Sequence, residues 1–325
     1  MVGDKDIKCQ YQFRDSVKYS NSNLLIASYA VNAIVTLASN FALIVGLRNT
    51  TRSKKYTRNE KLVIVLTIID ILNTLVVSSS QTILLRQINN FSCLDISMIT
   101  FFRVWFLGIS GCTFLMISIE RYLTVFYNNK ICGIYIKDSY FVGYFVFIIF
   151  FTFCTAVLYG VVFSTSNMHL QFMLHIGTGC FTFALLSMII ATNVLLLFKT
   201  KEKLRNNSLR AQRNTEIENY ITKTVVIISL ANVLFYTPCL AAQCHLSYTF
   251  SKDLYSLIPS VHRIFMWTLV IREIGPWLNA LIYALRNRRI YKMYFSKINF
   301  FFRSNSVTVS LVQETSSVSK STSMI

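Results

Sequence analysis

The sequence predicts an all-α fold, a bundle of seven transmembrane helices. Three observations favour it: a composition that is 54% hydrophobic and only 14% charged, a series of long apolar stretches, and basic residues concentrated between alternate stretches. A soluble domain usually has about 25% charged residues, so the composition alone indicates a membrane protein.

The apolar stretches define the predicted transmembrane domain. A bilayer core is about 30 Å thick and needs roughly 20 apolar residues per helical span. The stretches that meet this requirement are residues 24–47, 59–84, 96–127, 139–163, 171–198, 219–245 and 258–284. The fifth is the least cleanly separated from its predecessor. Together they predict a seven-helix domain over residues 24–284.

Basic residues predict the orientation, since cytoplasmic loops retain Lys and Arg. The loops after the first, third and fifth stretches, and the segment after the seventh, contain basic residues such as Arg48, Lys54, Lys130, Lys201 and Arg288. The N-terminal segment, residues 1–23, is therefore expected outside the cell, with the protein in the plasma membrane. The net charge of +18 then reflects topology and attraction to membrane lipids, with no nucleic acid as partner.

This topology predicts two extracellular modifications. Asn90 begins the sequon Asn90-Phe91-Ser92 in an outer loop and is a candidate glycosylation site. The cysteines expected outside the membrane or at its outer edge are Cys9, Cys93, Cys180 and Cys244. Two disulfides are predicted among them, in three alternative pairings.

Polar side chains inside the spans need partners, since an ionisable group in hydrocarbon costs at least ~2.5 kcal/mol unless it faces the bundle interior. Asn40, Asp70, Ser110 and Asn279 lie on four different stretches, and we expect them to converge on a small polar cavity. One carboxylate among neutral oxygen and amide groups suits a sodium ion or a proton. The alternative is that Asp70 is simply protonated and hydrogen-bonded.

Sequence motifs of one known family occur in order along the stretches. They are Asn40, Leu66-x-x-x-Asp70, Glu120-Arg121-Tyr122, Phe235-Tyr236-Thr237-Pro238 and Asn279-x-x-x-Tyr283. Together they resemble the rhodopsin-like, or class A, G-protein-coupled receptors over nearly the whole chain. The resemblance implies a short amphipathic helix after the last span, over residues 285–300.

The chain also departs from that family's pattern. Ala280 follows Asn279 where Pro is usual, Tyr236 stands where Trp is usual, the fourth stretch lacks its Trp and the fifth has no Pro. Pro276, one turn before Asn279, is expected to supply a kink instead. The missing Pro, a short second outer loop and the segment 120–127 are similar to the melanocortin-type branch.

The resemblance implies a switch made of charges at the inner membrane face. Arg121 would be held by Glu120 and, across the bundle, by Glu218 at the foot of the sixth helix. Ligand binding would tilt that helix about Pro238 and free Arg121 for a heterotrimeric G protein, while Tyr283 turns inward. The alternative is that Glu120 and Glu218 are solvated charges, since most exposed ion pairs contribute little.

Arg103 and Glu273 are the charged candidates for an extracellular ligand's pocket. By family spacing they replace the Asp of amine receptors and the retinal-bearing Lys of opsins, so neither ligand is expected. Arg103 and Glu273 either neutralise one another, or Arg103 reads a carboxylate or phosphate on the ligand. The aromatic residues expected in the same cavity are Phe106, Tyr236 and Trp267.

The tail over residues 301–325 is rich in Ser and Thr and is expected to be disordered. Phosphorylated, it would dock an arrestin through its added negative charge.

These features favour a receptor that activates a heterotrimeric G protein, with no cofactor apart from a sodium ion near Asp70. A chemosensory receptor for small odorant-like molecules is the alternative. A seven-helix transporter is less favoured, because no internal repeat or facing pair of broken helices is evident. An enzyme is not expected, because the four His residues lack metal-ligand spacing and no nucleophile–base pair is present.

Overall fold

Helices make up nearly all of the described chain. The structure, a computed structural model, describes residues 22–50, 56–86, 92–127, 130–131, 134–135, 138–164, 168–206, 212–251, 257–286 and 290–291. Its helices are α1 (Ser22–Thr50), α2 (Arg58–Asn73), α3 (Ser79–Arg86), α4 (Cys93–Tyr127), α5 (Asp138–Ser164), α6 (Met168–Asn206), α7 (Gln212–Ser251), α8 (Ile258–Arg272) and α9 (Ile274–Arg286). Two short strands, β1 (Lys130–Ile131) and β2 (Ile134–Tyr135), pair antiparallel. The predicted all-α class is confirmed.

Six helical segments of the described chain are long and apolar enough to cross a membrane. They are Asn23–Asn49, Arg58–Arg86, Leu94–Phe126, Ser139–Val162, Met173–Glu202 and Thr222–Thr249. Each overlaps one of the first six predicted stretches, and the second combines α2, α3 and the turn between them. Their length and composition indicate a membrane-embedded protein.

The outward faces of these helices carry large apolar side chains. Phe198 is 71% exposed, Ile34 68% and Leu234 67%. Large apolar surfaces of this kind mark contact with a membrane or another protein, because water solvates them poorly. The exposed apolar side chains and the lengths of the helices therefore both indicate a membrane-embedded protein.

The seventh predicted stretch forms two shorter helices. α8 has 15 residues and α9 has 13, with Glu273 in a turn between them. In a continuous α-helix the nitrogen of Pro276 would donate to the carbonyl of Arg272, four residues earlier, and proline has no N–H to donate. The predicted kink at Pro276 is thus found as a one-residue break at Glu273, whose φ of −65° and ψ of −8° remain in the right-handed helical region. Neither half alone reaches the roughly 20 residues of a span.

The apolar core surrounds α4. Its largest cluster joins Leu115 and Ile117 of α4 to Leu66 of α2, Ile189 of α6 and Ile228 of α7. α4 therefore contacts most of the bundle along its length, and a displacement of this helix would be felt by several neighbours.

Two glycines allow close packing of α4. A Cβ atom at Gly108 would lie 2.8 Å from Cγ2 of Thr152 on α5, and one at Gly111 would lie 2.6 Å from Cδ2 of Leu185 on α6. Small residues at helix contacts are typical of membrane bundles, where backbones approach closely.

The predicted disulfides are not present in the described chain. Cys180 and Cys244 are free and exposed, so the prediction of two bridges among the four cysteines is wrong. Cys9 lies outside the described residues, as does the side chain of Cys93.

Several further predictions fall outside the described residues. These are the N-terminal segment up to residue 21, the sequon at Asn90 and the tail over residues 301–325. Beyond α9, the expected amphipathic helix is described only at Ile290 and Tyr291, which are helical.

Candidate functional site

A cavity of about 410 Å³ lies among α4, α5, α6, α7 and α8. Its lining extends along α6 from Leu174 to Ile189 and along α7 from Ser229 to Leu246. At 1.5 Å per helical residue, those runs are roughly 22 to 25 Å long. The cavity is therefore elongated along the helices, and its volume is in the range of small-molecule sites.

One end of the cavity is polar. We call it the polar end and define it by Arg103 of α4, His175 of α6, Gln243 of α7 and His262 of α8. Gln243 Nε2 donates to Thr178 Oγ1 at 2.7 Å and to the carbonyl of His175 at 3.1 Å. These bonds fix α6 to α7 beside the cavity.

α5 is tied to the same end through His175. The hydroxyl of Tyr159 and Nδ1 of His175 lie 2.7 Å apart, and the two rings meet edge to face. Tyr159 also lies within electrostatic reach of Arg103. Polar side chains of α5, α6, α7 and α8 thus line the same cavity as Arg103.

The lining beyond the polar end is mostly apolar. It includes Leu107, Phe114, Phe181, Leu185, Leu186 and Val233. Two threonines of the lining already have acceptors in their own helix: Thr152 donates to the carbonyl of Ile148, and Thr155 to that of Phe151. Their hydroxyls therefore add little demand for a polar ligand.

Glu273, at the break between α8 and α9, is buried and fully paired. Its Oε1 accepts from Nη2 of Arg272 at 2.8 Å, and its Oε2 accepts from Nδ2 of Asn73 and Oγ of Ser78, each at 3.4 Å. Of the two alternatives for Arg103, the pair with Glu273 is therefore not formed, because Arg272 takes that place.

A π-helical turn in the second span presents Asn73 and Ser78 together. The turn covers Thr74–Ser78, between α2 and α3. In an α-helix, residues five apart differ by about 140° around the axis, whereas the wider π-turn, with i→i+5 bonds, brings them closer to one face. The π-turn in the second span therefore contacts the break between α8 and α9 through the carboxylate of Glu273.

Arg103 lines the cavity and is half-buried. Among the described residues, no carboxylate lies within salt-bridge distance of it. Tyr29, Arg272 and Glu273 are within its electrostatic reach. Two guanidinium groups therefore share this region with the carboxylate of Glu273, which is already paired.

The other predicted ligand residues divide between cavity and core. Tyr236 lines the cavity. Phe106 packs with Ile69 and Val77 in an apolar cluster, and Trp267 packs against the cluster that contains Met266. Neither aromatic residue is part of the lining.

The sequence interpretation missed the roles of His175, Gln243 and His262. The histidines were considered only as metal ligands. The available signal was different: each of these polar residues lies in an apolar stretch, close to the end of the bundle that holds Arg103. A polar side chain at such a position requires a partner or a ligand.

The expected polar cavity around Asp70 forms only in part. Oγ of Ser110 lies 3.5 Å from Oδ1 of Asp70. Asn40 donates instead to the carbonyl of Thr36 at 2.9 Å, and Asn279 accepts from Asn232 of α7 at 2.8 Å.

This geometry does not fit a sodium ion. Two side chains are few for a hard cation, which takes six or more oxygen ligands in well-defined protein sites. The alternative of a hydrogen-bonded Asp70 fits the arrangement better.

A second charged site lies at the other end of α4. Nε of Arg121 is 2.9 Å from Oε2 of Glu120, and the two side chains are only 13% and 4% exposed. The two atoms are close enough for a charge contact but do not meet hydrogen-bond geometry. Thr124 also donates to Oε1 of Glu120 at 3.2 Å. Glu120 is therefore a buried carboxylate and not a solvated one.

Neighbouring residues complete this charged site. Tyr283 of α9 lies within electrostatic reach of both Arg121 and Glu120. The ring of Tyr122 packs on Phe126 with centroids 4.0 Å apart. Pro238 lies inside α7. Glu218 lies on the same helix, but its side chain is outside the described set, so its pairing with Arg121 stays a prediction.

Comparison with known proteins adds no assignment. No model of a known protein family matches the chain, and no curated protein matches it. The resemblance to the rhodopsin-like receptors therefore rests on the sequence motifs alone.

Proposed function

We propose that the protein is a seven-span receptor of the rhodopsin-like type that passes an extracellular signal to a heterotrimeric G protein. In this proposal it resides in the plasma membrane with its N-terminus outside, and α8 and α9 together form the seventh span. The observation that carries the proposal is the buried contact between Arg121 and Glu120. It lies about 27 Å along α4 from Arg103 in the cavity.

A continuous set of contacts supports transmission between these two sites. The cavity is lined by Asn232 of α7, whose Nδ2 donates to Oδ1 of Asn279 on α9. Tyr283 follows Asn279 by four residues and so lies on the same helical face. It is in turn an electrostatic neighbour of Arg121. A ligand that displaces Asn232 would therefore bias the position of α9 beside Arg121.

The proposed active state releases Arg121. Tilting of α7 about Pro238 opens the inner end of the bundle, and Arg121 leaves Glu120 to contact the α-subunit. Proline suits this movement because it removes one backbone hydrogen bond from the helix. Membrane lipids surround the bundle, and an arrestin binds the phosphorylated tail.

A transporter is the second candidate, and one observation favours it. The π-turn after α2 and the break between α8 and α9 face each other at Glu273. Irregular helices that meet around a buried charge are typical of transport sites. The sequence interpretation did not foresee this pair.

Nucleotide exchange and solute flux separate the two candidates. Purified protein in nanodiscs is expected to accelerate GTP exchange on at least one of the main α-subunit classes, relative to empty nanodiscs. The same protein in liposomes is expected to carry no ion or proton flux above that of empty liposomes. Flux without exchange on any α-subunit would overturn the receptor and favour the transporter.

A further inference from the structure

We propose that the cavity binds an amphiphile with an anionic head group and a single unbranched hydrocarbon tail, with the head group on Arg103. This inference rests on the proposed function only in making that molecule the signal. The site itself follows from the charges and the shape of the cavity.

The charge balance calls for an anion at the polar end. Arg272 is paired with Glu273, and the second oxygen of Glu273 is taken by Asn73 and Ser78. Within the described chain this leaves Arg103 with no carboxylate partner. A half-buried guanidinium gains most from an acceptor with two or three oxygens, since its donors form a planar fork.

The polar end also selects against other ligands. A cationic ligand would place a third positive charge beside Arg103 and Arg272, which like-charge repulsion disfavours. A neutral ligand would leave Arg103 without a counter-charge. A carboxylate and a phosphate both supply the missing charge.

The rest of the cavity fits a hydrocarbon tail. Past Arg103 the lining is mostly apolar, with Ser229, Asn232 and Tyr236 among its polar members, and along α4 it continues to Phe114, roughly 16 Å away. Because the cavity is elongated and mostly apolar, a linear tail can lie along it. Gly177 opens the wall on α6, because a Cβ atom there would meet nothing within 4 Å.

The first experiment compares head groups on one tail. Full-length protein in nanodiscs of zwitterionic phosphatidylcholine is loaded with a fluorescent fatty acid, which is then displaced by oleate, oleyl alcohol or oleylamine. Oleate is expected to bind at least about tenfold more tightly than oleyl alcohol, and oleylamine more weakly than either. Equal affinity of acid and alcohol, or preference for the amine, would overturn the proposal.

The same assay separates the two kinds of anion. Oleoyl lysophosphatidate that displaces the tracer better than oleate identifies a phosphate head group, and the reverse order identifies a carboxylate. Either order supports the proposed anionic site.

Substitution of Arg103 tests the position of the head group. Arg103→Gln is expected to remove the preference for oleate while leaving the affinity for oleyl alcohol unchanged, which also shows that the variant is folded. Arg103→Lys is expected to retain part of the preference, because it keeps the charge but loses the fork. Undiminished preference in Arg103→Gln would place the head group elsewhere and overturn the proposal.

A matched pair of glycine substitutions tests the position of the tail. Gly177→Leu adds a side chain within the lining, whereas Gly143→Leu adds the same side chain on the outward face of α5, where a Cβ atom also meets nothing within 4 Å. Gly177→Leu is expected to weaken oleate and oleyl alcohol alike by at least about fourfold, the value of one buried methylene. Equal effects of the two variants would overturn the assignment of the tail.

Failure of this inference is distinguishable from failure of the receptor. Head-group selectivity that depends on Arg103, without GTP exchange, leaves the binding site standing and removes the signalling role. GTP exchange without head-group selectivity leaves the receptor standing and removes the anionic amphiphile.

Discussion

Glu273 is a buried carboxylate that accepts hydrogen bonds from the adjacent Arg272 and from the second span. Arg272 supplies the charge, and Asn73 and Ser78 supply neutral donors from the second span. Buried charges are tolerated when they are paired and hydrogen-bonded, and become strongly unfavourable when one partner is removed. The pair is therefore a sensitive point for stability.

We expect Glu273→Ala to lower the free energy of unfolding by about 3–5 kcal/mol, because Arg272 is left buried without its counter-charge. Thermal unfolding in detergent measures the loss. The matched control is Glu202→Ala, which removes a 2.7 Å contact to Lys199 between side chains that are 49% and 43% exposed. That change is expected to cost about 0–1 kcal/mol. Equal losses in the two variants would contradict the role assigned to Glu273.

Sequence reasoning located the buried charges but not all of their partners. Arg103, Asp70 and Glu273 stand out because each is polar within an apolar stretch. The pairing of Arg272 with Glu273 was not predicted, although adjacent residues can pair, as Arg121 and Glu120 do. The donors Asn73 and Ser78 were not predicted either, because the π-turn that presents them has no sequence signal.

At the scale of helices, the contact between α4 and α5 depends on the absence of a side chain. The methyl group of Thr152 lies only 2.8 Å from where a Cβ atom of residue 108 would be, and the Thr152 hydroxyl donates to the carbonyl of Ile148. A β-branched side chain held in this way has little freedom to rotate away.

Gly108→Ala is expected to lower the unfolding free energy by about 1–3 kcal/mol through overpacking. Gly143→Ala makes the same chemical change on the outward face, and is expected to raise it by up to about 1 kcal/mol because alanine favours helix. The thermal unfolding midpoints of the two variants measure this difference. Adding Thr152→Ser to Gly108→Ala removes the opposing methyl group and should recover most of the loss. A rise in the unfolding midpoint of both single variants would show that α4 and α5 are not in close contact at Gly108.

The limits of the six segments of spanning length were predictable to within a few residues, because long apolar runs have few interpretations. The π-turn over Thr74–Ser78 has no sequence signal of this kind. The effect of Pro276 was predictable in type but not in extent, since a proline can either bend or interrupt a helix. The break at Glu273 is stabilised because the carboxylate of Glu273 accepts hydrogen bonds from Asn73 and Ser78 of the second span.

At the scale of the whole molecule, the number of spans decides the topology. The described chain has six segments of spanning length, and the proposed seventh span consists of α8 and α9 joined at Glu273. Seven spans place the two ends of the chain on opposite sides of the membrane, and six place them on the same side.

Epitope tags at the two ends test this topology. With protease added outside intact cells, we expect digestion of the tag at the N-terminal end and protection of the tag at the C-terminal end. Permeabilised cells serve as the control, in which both tags are digested. Equal accessibility of the two tags in intact cells would mean that α8 and α9 do not complete a span.

The receptor proposal depends most on the contact between Arg121 and Glu120, and nucleotide exchange tests it directly. In nanodiscs without added ligand, Glu120→Gln is expected to raise GTP exchange severalfold, because Arg121 loses the carboxylate that holds it. Arg121→Gln is expected to abolish exchange, because the α-subunit loses its contact. Exchange rates of both variants equal to that of the unsubstituted protein would contradict the proposed switch.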